Sequence, residues 1–120
     1  MIEIRRDDGE LCGYVRALGD RWQALVVFGA VLGDHASEDA ATQQVRDIGI
    51  AVLQDRWTLA GTGDADGVVC IQEARPDGVR VALGYYSLPG VPSRWVERVD
   101  IDAGTVTLRH GSDEPTGLGR

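Results

Sequence analysis

Asp34, His35 and Ser37 lie within four residues at the end of an apolar run, and their types together suggest chemistry. Imidazole exchanges a proton near neutral pH, so His35 is a candidate general base with Asp34 beside it. If Ser37 opens a helix, the free N–H groups and positive dipole end there suit an anion or a developing oxyanion. The pattern fixes no nucleophile, and a turn-forming Asp34 with a capping Ser37 accounts for the same residues.

A second cluster, Thr62-Gly63-Asp64-Ala65-Asp66-Gly67 followed by Glu73, matches the register of an EF-hand calcium loop. Thr62, Asp64, Asp66 and Glu73 are the candidate ligands, with Gly67 at the turn and Val69 as the apolar residue. Two departures stand against it. Thr62 replaces the usual first aspartate, and Val68 to Ala74 reads as a strand where the exiting helix belongs. A flexible acidic connection fits the same residues, and no metal is assigned. His35, His110, Cys12 and Cys70 are possible zinc ligands, but no pair has ligand spacing. The two cysteines sit among apolar neighbours and read as reduced, buried small hydrophobes. Tyr85, Tyr86 and Trp95, near Pro89 and Pro92, can line a small-ligand groove, although adjacent tyrosines on a strand face opposite ways. Gly29 and Gly33 form no phosphate loop, since the lysine is missing, and no cofactor is implied.

Composition narrows the function classes. A net charge of −7 argues against a general nucleic-acid binder, whose affinity rests on neutralising phosphates. All 12 basic residues are arginine, and the chain has neither lysine nor asparagine, as expected of a GC-rich bacterial genome. Schiff-base and lysine general-base chemistry are therefore excluded. No apolar run approaches the ~20 residues of a membrane helix, and the first residues lack signal-peptide order, so a cytoplasmic location is expected.

The elements that must position these residues follow from periodicity and turn chemistry. Ile2 and Ile4 alternate with charges up to the Asp8-Gly9 turn, and a second strand covers about Glu10 to Ala17 before Leu18-Gly19-Asp20-Arg21 turns it. Trp22 to Leu32 is apolar on both alternating faces and reads as one central strand. Ser37 is a good N-cap, and Glu38 and Asp39 suit the first turn of a helix expected over about 37–55. Ala41, Val45, Ile48 and Val52 make one apolar stripe on it; Ile50, Leu53 and Trp57 make a second on the opposite side. Gly49 within the helix points to a close contact. Strands are expected at Val68 to Ala74, Val79 to Leu88, Trp95 to Ile101 and Thr105 to His110, with Arg75-Pro76-Asp77-Gly78 as a turn. The expected architecture is α+β: a single two-layer domain over 1–110, antiparallel, in the order β-β-β-α-β-β-β-β, with a disordered tail over 111–120.

From Glu10 to Leu53 the chain locally resembles HicB-type antitoxins, in which a Trp-x-Ala-like run on a strand precedes a Ser/Thr-x-Glu/Asp-Ala helix start. Here these are Trp22-Gln23-Ala24 and Ser37-Glu38-Asp39-Ala40. The resemblance covers part of the chain and transfers no residue role.

Three functions remain. The first is a non-enzymatic binding or regulatory module that self-associates as a homodimer through Ile50, Leu53 and Trp57, whose stripe otherwise leaves an exposed apolar patch. The second is an acidic inhibitor or immunity-type partner of a basic enzyme, steered by charge. The third is a small enzyme or ligand carrier with a pocket near His35 or Tyr85.

Overall fold

Tight turns and a single capped helix organise the first half of the chain. A computed structural model describes residues 1–84 and 90–111. Strands β1 (Ile2–Arg5), β2 (Leu11–Leu18), β3 (Arg21–Val26) and β4 (Val31–His35) form an antiparallel sheet in sequential order. Helix α1 (Glu38–Ile48) then crosses one face of it. Ser37 caps this helix, its Oγ accepting the Ala40 N–H at 3.1 Å. Ala41 and Val45 are its buried residues and pack with Ile4, Val15 and Ala24 in a small core.

The apolar run from Trp22 to Leu32 is two strands, where one was expected. Gly29 adopts φ +95°, a conformation that side-chain-bearing residues rarely take, and its N–H bonds the Val26 carbonyl at 2.8 Å. The turn lies inside the protein: every residue from Ala24 to Ala30 is buried. Burial made this turn as apolar as a strand, which hid the reversal from a hydrophobicity pattern.

The helix is also shorter than expected. At Gly49 the backbone meets β2 so closely that a Cβ would stand 2.7 Å from the Cys12 carbonyl oxygen. The chain tightens into a 3-10 turn at Ala51–Gln54, and Asp55 is extended. Strand β5 (Arg56–Ala60) follows, so Trp57 belongs to a strand and not to the helix stripe in which it was placed. Val52, expected on the core stripe, is buried in the 3-10 turn.

Strands β6 (Gly67–Arg75), β7 (Gly78–Leu83) and β8 (Ser93–Glu97) continue from β5 as an antiparallel meander. A short helix α2 (Arg98–Asp102) occupies part of the strand expected from Trp95 to Ile101. It returns the chain to β9 (Thr107–His110), which pairs with β5 and gives the order β8-β7-β6-β5-β9. The protein is thus α+β, with two antiparallel sheets and one main helix. The larger core joins the sheets: Phe28 from the β3–β4 turn meets Trp57 edge-on at 5.5 Å, among Leu59, Val69, Val81 and Val96.

Candidate functional site

The residues expected to do chemistry are drawn into structural roles. His35 Nε2 lies 2.6 Å from Gln44 Oε1, which ties β4 to α1. The Ser37 hydroxyl is the helix cap, and Asp34, exposed, pairs across the sheet with Gln23. Strand alternation sends Asp34 and His35 to opposite faces, so the two side chains do not converge.

In the candidate calcium loop, Asp66 accepts from the Thr62 hydroxyl at 2.7 Å, the Thr62 N–H at 2.8 Å and the Gly61 N–H at 3.1 Å. These bonds, the Thr62 hydroxyl foremost, hold the Asp66 carboxyl below the usual carboxylate range. Glu73 lies along β6 and pairs with Arg75 and Arg80, at 3.5 and 3.7 Å. The loop is therefore organised by its own hydrogen bonds. Among the described residues no group of three or more His, Cys, Asp or Glu is placed to hold a metal ion. Cys12 and Cys70 are both buried and free, and burial pushes the Cys12 thiol up.

Of the second apolar stripe, Trp57 is covered by the chain itself. Trp57 is 0% exposed and donates its indole N–H to the Val52 carbonyl at 2.9 Å. Leu53 packs on the larger core and Ile50 on the smaller one, each half-buried. His110 adds a lock that the sequence did not suggest: Nε2 is 2.8 Å from Asp55 Oδ2 and its ring lies 5.3 Å from that of Trp57. On the open face of the second sheet, Trp95 sits between the guanidinium groups of Arg75 and Arg80, at 5.1 and 5.7 Å, and donates to Glu97 at 2.8 Å. Tyr85 and Tyr86, and the expected tail beyond Gly111, fall outside the described residues.

What remains is a cleft lined by residues of both sheets. It measures about 350 Å3 and lies between β2 and β4 on one side and α2 and β9 on the other. Its floor is apolar, with Val31, Ile101, Val106 and Leu108 among the lining residues. Arg16, half-buried on β2, reaches it from the wall. The register Arg16↔Gln23 places these two residues side by side, and Arg16 Nε donates to Gln23 Oε1 at 2.8 Å. Neither terminal nitrogen of Arg16 has a partner among the described residues. Asp102 lines the same cleft but accepts from Arg98 Nε at 2.9 Å. A wider depression of about 390 Å3 beside the β1–β2 turn is lined by Arg6, Asp7, Asp8 and Arg46; there Arg6 pairs with Asp8 at 3.1 Å.

No family model, curated protein or solved structure matches the chain. Among the described residues no helix is long and apolar enough to cross a membrane. Arg16 was missed in the sequence because it read as the polar residue of an ordinary strand. The available signal was the Gly19-Asp20 turn, which sets the Arg16–Gln23 register.

Proposed function

We propose that this protein is a non-catalytic binding module whose inter-sheet cleft holds a small molecule. The observation that carries this reading is a half-buried arginine, clamped by its neighbour, above an apolar floor. Binding sites commonly combine such a surface with a few placed polar groups. His35, the candidate base, is engaged with Gln44, which favours binding over catalysis. The module works in a reducing compartment such as the cytoplasm, where the buried thiols of Cys12 and Cys70 stay free. The test is an amide-resolved NMR titration with 1-octanol. Shifts confined to Gly29–Val31 and Val106–Leu108, lost in Val31→Trp, are expected; an absence of shifts up to the solubility limit overturns the reading.

A second reading, an acidic inhibitor of a basic enzyme, is favoured by the exposed acids of α1, Glu38, Asp39 and Asp47. These acids, with the −7 charge, suit a steered and salt-sensitive encounter. Reversing these three charges then abolishes co-purification of a basic partner at low salt. Failure of any basic protein to co-purify with the wild type removes this reading.

A further inference from the structure

The chemistry of the cleft specifies its occupant more closely, on the premise that the cleft binds a small molecule at all. We infer that it takes a monocarboxylate with an apolar body, the carboxylate paired to Arg16. A guanidinium offers two edges to an anion, one formed by Nε with a terminal nitrogen and one by the two terminal nitrogens. Gln23 occupies Nε at 2.8 Å, which fixes the plane of the group and leaves the terminal edge as the open fork. A fork held in this way meets the two oxygens of a carboxylate with little further loss of side-chain freedom.

Charge selects the class of anion. Two arginines, Arg16 and Arg109, and one acid, Asp102, line the cleft, so its own side chains carry one net positive charge (two less one). They match one negative charge, whereas a phosphate dianion brings a second that the −7 charge of the whole chain also opposes. The floor selects the remainder of the ligand. Val31 is one of the few large hydrophobics left exposed, at 42%, and it lies in this cleft with Ile101 and Leu108. An apolar body covers that surface, and a space of about 350 Å3 accommodates an eight-carbon chain.

The test uses octanoate and 1-octanol as matched probes, at pH 7, against wild type, Arg16→Gln and Arg16→Lys. The readout is NMR shifts of the Ala30, Val31 and Leu108 amides, with overall amide dispersion reporting that each variant is folded. Octanoate is expected to bind the wild type at least tenfold more tightly than octanol. Arg16→Gln removes that preference and leaves octanol unchanged; Arg16→Lys, which keeps the charge without the fork, falls between. Equal binding of both probes, unaffected by Arg16→Gln, overturns the carboxylate assignment while the cleft remains a binding site. If neither probe moves the cleft amides, both the assignment and the binding reading fall. Should Arg16→Gln fail to fold, Val31→Trp fills the cleft from its apolar floor, and undiminished octanoate binding in that variant overturns the proposal.

Discussion

Replacing Trp57 distinguishes a core residue from an interface residue by magnitude and by sign. The ring is 0% exposed, touches Phe28 and His110, and donates to the Val52 carbonyl. Trp57→Ala removes a large buried side chain and leaves a cavity, at a cost of about 3–5 kcal/mol. It also strips the Val52 carbonyl of the indole donor, which adds about 1 kcal/mol where water does not reach. Since a domain of this size is stable by about 5–15 kcal/mol, Trp57→Ala brings it close to unfolding. Trp57→Phe keeps much of the volume and isolates the hydrogen bond and the lost ring area, at about 2 kcal/mol. With a urea dependence of about 1–3 kcal/mol per molar, Trp57→Phe lowers the midpoint by about 1 M. Far-UV circular dichroism against urea reads this, and light scattering on the same samples reads the mass. A Trp57→Phe variant with unchanged midpoint and a halved mass would refute the placement of Trp57 in the core and restore an exposed helix stripe.

Leu53→Glu puts a charge against the larger core, so it lowers stability by about 2 kcal/mol and is expected to leave the solution mass unchanged; a wild-type dimer dissociated by it contradicts this. Arg98→Ala loosens the junction of the sheets. Its guanidinium, with the side chain only 17% exposed, bonds Asp102 and the Pro76 carbonyl and lies 5.0 Å from the Tyr14 ring. A loss of about 2 kcal/mol in urea melts is expected, and a neutral result removes its bridging role. The Asp66 carboxyl is depressed in the folded loop, so its contribution is present above its unfolded value and disappears as pH falls through the folded one. The Gly61 and Thr62 amide shifts therefore stay constant on acidification until below the usual carboxylate range. Movement at or above that range contradicts the hydrogen-bonded loop.

Local chemistry was readable in the sequence wherever a few neighbouring residues decide it. Ser37 caps the helix, Pro76 and Asp77 turn the β6–β7 hairpin, and Gly49 meets another backbone, all as their types imply. The misreadings arise where distant parts of the chain decide. Ile50, Leu53 and Trp57 keep helical spacing, yet the chain leaves the helix at Gly49 and Trp57 enters β5, whose partner β9 lies some fifty residues ahead. Likewise Val26 to Ala30 are apolar because the second sheet covers them, a circumstance invisible within the run itself. The candidate site follows the same division. The Arg16–Gln23 neighbourhood is set by a two-residue turn; the apolar floor is assembled from β4, α2 and β9.

Arg98 and Arg16 show what separates a structural arginine from a binding one in this fold. Both arginines reach the space where the sheets meet. At Arg98, Asp102 takes Nε, the Pro76 carbonyl takes Nη1, and Tyr14 takes the face of the guanidinium. Its donors are met from both sheets, so it fastens them together. At Arg16 a single neighbour takes Nε; the opposing wall presents Ile101 and Leu108 beside Asp102, Thr107 and Arg109, and among the described residues none of these bonds its terminal nitrogens. A half-buried guanidinium beside a partly apolar lining gains more from an anion than a fully solvated one does, because attraction strengthens as water is excluded. The cleft between the two sheets therefore brings both halves of the site together, the open fork from β2 and apolar residues from β4, α2 and β9.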